Sequence, residues 1–213
     1  GRYLSLFIIV MVGVGFFTGI QVSAPDMINV VDKYYKEQNL MDFKIVSSMG
    51  LTDQDIDAVK QLEGVNEVTS SYSLDALDQE KTIRIHSLED TINNVKLIDG
   101  QMPENAYECI ADASSYQIGD NINITSDTKE KLGKTEYIVV GLVESALYLS
   151  NDYGSTTVGD GELSSFLFIP KENFIMDAYS EIYLTMDKDT NIMAYSNEYK
   201  ALSSKLNDSL ISI

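Results

Sequence analysis

The sequence predicts an α+β protein hung from an N-terminal transmembrane helix. Three observations carry that expectation. Tyr3 to Val22 holds no charged side chain, and about twenty residues at ~1.5 Å each cross the ~30 Å hydrocarbon core of a bilayer. Asp42 to Tyr72 reads as strand, helix, strand. From Val95 onward, short alternating segments are separated by turn residues, as in a β-rich unit.

Within the apolar run only Ser5, Thr18 and Gln21 are conventionally polar. Gly13, Gly15 and Gly19 weaken a helix in water but are tolerated in lipid, as contact points for neighbouring helices or as lipid-facing flexibility. Two milder readings compete: a signal peptide, with Val22-Ser23-Ala24 as its small-x-small cleavage site, and a buried core helix. The lone Arg2 favours an N-terminus inside the cell. Beyond the run, Met27, Val30, Val31, Tyr34 and Tyr35 recur at helical spacing up to Gln38, and Pro25 fits a kink or a first helical turn. The membrane helix (1–23) is therefore expected to continue as a stalk (24–40), amphipathic and packed on the domain.

The chain has 213 residues and a net charge of −18, from 15 basic and 33 acidic side chains. Nearly all the acidity follows the apolar run. Such a surface disfavours nucleic acid and anionic lipid as partners. A single cysteine, Cys109, rules out an internal disulfide.

After the stalk, Asp42 to Ser47 alternates as a strand. Thr52 caps the next helix, with Asp55 completing a capping box. Ile56, Val59 and Leu62 line one face, and Gly64 stops it. Val65 to Tyr72 and Lys81 to Ser87 read as strands, closing an α+β subdomain over 41–94. A β-rich subdomain over 95–189 follows. Its strands are Val95 to Ile98, ending at Asp99-Gly100, then Tyr107 to Ala111, a hairpin of Asn121 to Thr125 with Glu136 to Val143, Ser165 to Ile169 and Glu181 to Met186. Loop 147–164, rich in Gly, Ser and Asp, is expected to be exposed. Asp189 or Thr190 caps a last helix over 190–213. Its Tyr195, Tyr199, Leu202, Leu206 and Ile213, with Leu210 off register, approach a heptad seam and suggest that the helix leads into a further region.

Candidate chemistry is sparse. Gly133-Lys134-Thr135 ends like a P-loop, but position 128 is Thr128 where the motif needs Gly. Asp187, Asp189, Asn191 and Glu198 match part of an EF-hand, but Ile192 stands where the sharp turn needs Gly. Asp152, Asp160 and Glu162 are oxygen donors in the acidic loop 151–162. His86 and Cys109 are one histidine and one cysteine without a supporting motif. No catalytic, cofactor-binding or metal residue is assigned, and no cofactor is expected.

The order of several segments resembles a known family. GLTDQDIDAVKQLEGVNEV (Gly50 to Val68) is followed by LIDGQMPENAYECI (Leu97 to Ile110), IGDNINI (Ile118 to Ile124) and YIVVGLVES (Tyr137 to Ser145). Together with the leading helix, over about Leu4 to Met186, this resembles the extracytoplasmic core domain of MacB/FtsX-type ABC transporter permeases, with a porter-like α+β part and a β-rich part. The resemblance implies a non-catalytic permease piece in the cell membrane, with the bulk of the chain extracytoplasmic. Its implied partners are the lipid bilayer, a cytoplasmic ATPase subunit, a second permease copy and an extracellular peptide or protein. It implies mechanotransmission: ATP-driven motion of membrane helices passed through the stalk to the outer domain. The heptad-like helix departs from the family and suggests a larger or coiled-coil insertion. The alternatives are a single-pass membrane-anchored binding or adhesion module and a secreted hydrolase with a cleaved signal.

Overall fold

The computed structural model describes residues 1–149, 152–189, 191–194 and 196–212, with the backbone alone at 21–25. The chain divides into Gly1–Glu37 and Gln38–Ile213. The first unit is one helix, α1 (Arg2–Glu37). Arg2–Ile20 has a mean hydropathy of 2.2, and its large side chains, such as Phe16 and Phe17, are exposed. No break occurs at Pro25, where the sequence suggested a kink or a new start. Proline forfeits one backbone hydrogen bond, and the helical runs on both sides carry the helix across. The polar end holds two i,i+4 pairs, Lys36–Asp32 at 2.7 Å and Lys33–Glu37 at 3.6 Å.

The second unit is a mixed α+β body with two sheets. The smaller sheet is built from β1 (Phe43–Leu51), α2 (Asp53–Lys60) and β2 (Val65–Ser71). The capping box forms as expected: the Thr52 N–H donates to the Asp55 carboxylate at 2.7 Å, which holds Asp55 below the usual carboxylate range. β1 and β2 are parallel but not adjacent. After β3 (Ser73–Asp78), β4 (Lys81–Ser87), β5 (Val95–Gly100), β6 (Glu108–Asp112), β7 (Asn121–Asn123), β8 (Glu136–Ser145) and β9 (Ser165–Ile169), the chain returns as β10 (Tyr179–Met186). β10 inserts between β1 and β2, antiparallel to both. The sheet is thus a split βαβ.

The last helix, α3 (Asn197–Ile211), starts later than the sequence suggested. Its cap is Ser196, whose hydroxyl accepts from the Tyr199 N–H at 3.1 Å. Asp189 instead closes a local turn onto the Asn191 N–H at 2.9 Å, while Thr190, Tyr195 and Ile213 lie outside the described residues. The heptad-like seam is filled within the domain. Tyr199, Leu202, Leu206 and Leu210 pack with Val59, Leu184 and Met186 on the sheet face that α2 also covers. These four seam residues therefore have partners within the domain.

The larger sheet has seven strands in the order β3-β4-β9-β6-β8-β5, with β7 also on β8. The β7–β8 hairpin pairs as the sequence indicated, Asn121 with Ile138 and Asn123 with Glu136. The sheet curls until its ends meet. Asp78 bridges Ile124, and the Thr125 N–H donates to the Leu77 carbonyl at 2.9 Å. Inside the curl lie Ile83, Ile85, Cys109, Val139, Leu167 and Ile169, all fully buried. The sheets do not follow the sequence division at residue 94. β3 and β4 belong to the curled sheet and β10 to the smaller one, because strand pairing over long sequence distances decides membership.

The long loop is not simply exposed. Tyr148 and Tyr153 fold back onto the outer face of the curled sheet, around Ile110, Phe166 and Phe168. Tyr148 stacks on Phe166 with centroids 4.3 Å apart. The Tyr153 hydroxyl donates to Asp112 at 2.7 Å, and Ser114 and Ser115 also donate to that carboxylate. These donors hold Asp112 below the usual range although burial opposes them.

Candidate functional site

The chain crosses between the sheets twice, at Tyr72 and between β9 and β10. Both crossings are stapled by rings: Tyr72 stacks on Phe174 at 5.1 Å and leans on Tyr179 at 5.3 Å. Beside this double crossing lies a cleft of about 720 Å³. Lys44, Val46 and Glu181 line it from the smaller sheet, and Asp75, Arg84 and Ile175 from the curled-sheet side.

One lip is a bulge in β1. Val46 pairs with Glu181 and Leu51 with Tyr179, so residues 47–50 face Ser180 alone and are pushed outward. Gly50 makes this possible. Its φ is +84°, and a Cβ there would sit 2.4 Å from the Ala178 Cβ. The bulge presents Met49, 93% exposed, with Val46 and Ile175 also exposed around the mouth.

The floor is charged and internally paired. Lys44 Nζ lies 2.6 Å from Glu181 Oε1, and the Tyr183 hydroxyl donates to the same carboxylate. Arg84 grips Asp75 with two bonds, 2.6 Å and 2.9 Å, directly across the β3–β4 pair. Burial alone would raise Asp75, but the Arg84 bonds and charge outweigh it and hold the carboxyl below its ordinary range. The Asp75 hydrogen bond in turn raises Arg84. Behind Arg84 on the same strand face is His86, 3% exposed. Its Nε2 meets the Tyr148 hydroxyl at 2.6 Å, and its Nδ1 has no hydrogen-bond partner among the described residues. Burial pushes His86 down to about 4 and Tyr148 upward.

A second polar junction ties β2 to the curled sheet. Lys171 Nζ lies 2.8 Å from Glu89 Oε2 and also donates to the Ser70 carbonyl, while the Thr69 hydroxyl reaches Glu89 at 3.3 Å. Burial raises Glu89 despite these donors. Pairs of this kind fix a geometry more than they add stability, since removing one partner strands a buried charge.

The sequence candidates are not brought together. Cys109 points into the curl and His86 to its outer face; the Cys109 thiol donates to the Ile138 carbonyl at 3.6 Å, and burial pushes it up to about 12. Lys134 lies 4.5 Å over the Tyr107 ring, and the Gly133 N–H donates to the Asn173 carbonyl, so no phosphate cradle forms. Asp152 and Asp160 each turn the loop through a nearby backbone N–H. Among the described residues no group of three His, Cys, Asp or Glu side chains could hold a metal ion. Sequence reasoning missed Lys44, Asp75, Arg84, Tyr148 and Glu181. The one available signal was the alternation in Lys81 to Ser87, which puts Arg84 and His86 on one face.

No protein-family model and no curated protein matches the chain. Solved structures that resemble it include the extracellular domain of the noncanonical ABC-type transporter YknZ from Gram-positive bacteria. That match has 14% identity and a TM-score of 0.40, covering 78% of this chain and 91% of that one. Another is the periplasmic region of MacB from Actinobacillus actinomycetemcomitans, with 13% identity and a TM-score of 0.39, covering 78% of this chain and 76% of that one.

Proposed function

We propose that the chain is the first membrane helix and outer domain of an ABC transporter permease, and that it passes motion rather than performing chemistry. The observation that carries the reading is the continuity of α1. A helix of 36 residues is about 54 Å long at ~1.5 Å per residue, against ~30 Å of hydrocarbon, so roughly 24 Å remains to project beyond it.

The helix then feeds β1 through only five residues, 38–42. That link is tied to the curled sheet's 91–94 segment. The Asn93 and Asn94 N–H groups donate to the Asn39 and Gln38 carbonyls at 3.0 and 2.8 Å, and the Met41 N–H donates to Asn93 Oδ1 at 2.9 Å. A pull on the link would therefore act on both walls of the cleft. The order of the four segments from Gly50 to Ser145 supports the same reading, and the paired charges of the cleft suit a part that changes shape without reacting.

In this reading a separate cytoplasmic subunit hydrolyses ATP, further membrane helices complete the permease, and the outer domain acts on an extracellular substrate or partner. The test is purification of the tagged native protein from membranes in mild detergent. A co-purifying nucleotide-hydrolysing subunit is the expected result. A protein that emerges alone, from a gene encoding no further apolar helices, would instead favour a single-pass binding module.

A further inference from the structure

The larger sheet ends at β5. One edge of this strand pairs with β8, and the other pairs with no strand among the described residues. It carries Val95-Lys96-Leu97-Ile98-Asp99-Gly100. Leu97 and Ile98 are 40% and 46% exposed, and Met102 and Ile118 beside them are as open. An exposed apolar edge of this sort is a template for another strand.

From the register of this edge we infer that it pairs with β5 of a second copy of the same chain, continuing one sheet through both molecules about a two-fold axis between Leu97 and Ile98. The edge is self-complementary. In an antiparallel pairing centred there, Lys96 lies opposite Asp99 of the second copy, and Asp99 lies opposite its Lys96. Leu97 meets Ile98, so two opposite-charge pairs flank two apolar ones.

The bulge makes this register workable. Leu97 pairs with Val143 and Asp99 with Leu142, so Ile98 is an extra residue. Lys96 and Asp99 therefore share the face of Glu144 and Leu142. The backbone groups that point outward shift by one residue across the bulge, which lets Lys96 and Asp99 occupy matching positions. In an unbulged strand, residues three apart would lie on opposite faces. Lys96 also binds Glu144 of its own chain at 3.0 Å.

The inference rests on β5 alone and is independent of the transporter reading. Its rival is that the charges and the bulge guard the edge against pairing.

The test uses the full chain in nanodiscs, with subunit exchange followed by energy transfer between labelled copies. The wild type should self-associate. Lys96→Glu and Asp99→Lys should each weaken association by roughly tenfold or more, since each turns two attractive pairs into two repulsive ones. The double variant should recover self-association yet fail to mix with wild type, an outcome that pairing through α1 alone would not give. Circular dichroism checks that each variant is folded, and either single variant suffices if the other misfolds. A monomeric wild type, indifference to the single reversals, or free mixing of the double variant with wild type would each overturn the inference.

Discussion

Replacing His86 with Phe isolates the pH response of the buried cluster. His86 is 3% exposed, and its surroundings hold Glu181, Lys44, Arg84 and Asp75. Burial lowers its folded pKa to about 4, against about 6.5 in an unfolded chain. The folded protein thus keeps the ring neutral while the unfolded chain takes up a proton. The stability tied to the neutral ring is fully present above about pH 6.5 and is lost as pH falls from there toward 4. A gap of about 2.5 units corresponds to about 3 kcal/mol at the acid limit, and to about 2 kcal/mol at pH 5. The lost Tyr148 hydrogen bond adds a constant offset that does not vary over this range. Urea unfolding of the full chain in detergent, followed by circular dichroism at pH 5, 6 and 7.5, measures the difference between wild type and His86→Phe. Subtraction removes the shared response of the 33 acidic residues. The wild type should lose about 2 kcal/mol relative to the variant between pH 7.5 and 5. A difference that stays flat would refute the burial argument.

Three further outcomes follow from packing. Ile83→Ala opens a void at a fully buried position inside the curl and should cost about 2–5 kcal/mol, read as a lower urea midpoint. Gly159→Ala places a Cβ 2.3 Å from Thr82 Oγ1 at φ +64°; about 1–3 kcal/mol should be lost, with faster proteolysis of the loop that covers Phe166. Asn93→Ala removes the acceptor of the Met41 N–H; stability should fall by about 1 kcal/mol, and hydrogen exchange at Met41 should accelerate.

Local patterns were legible in the sequence, and long-range pairings were not. The uncharged run of α1, the Thr52–Asp55 box and the β7–β8 hairpin are set by neighbours in the chain. β3 escaped notice because Asp75, Ala76 and Asp78 are poor strand formers, and its turn at Gln79-Glu80 contains no glycine. Gln79 takes φ +56° there. The place of β10 between β1 and β2 has no local signature. Its alternation of Ile182, Leu184 and Met186 with Glu181, Tyr183 and Thr185 says strand, but not which neighbours. The cleft was hidden for the same reason, since Lys44 and Glu181 meet only once β10 has inserted. The loop misled through composition: its Gly, Ser and Asp residues read as solvent-exposed, while Tyr148 and Tyr153 anchor it.

If α1 delivers motion to the cleft, as proposed above, the two lips should move with ATP turnover. Spin labels at Met49 on the β1 lip and Ile175 on the opposite lip, in native complexes co-purified with the nucleotide-hydrolysing subunit proposed above and held in nanodiscs, report the cleft's width by pulsed electron spin resonance. The distance distribution should shift with ATP turnover. In Val31→Pro, which adds a second proline to α1 and weakens it by about 3 kcal/mol, the shift should shrink while hydrolysis continues. An unchanged distance in the wild type, or an undiminished shift in Val31→Pro, would contradict the proposal.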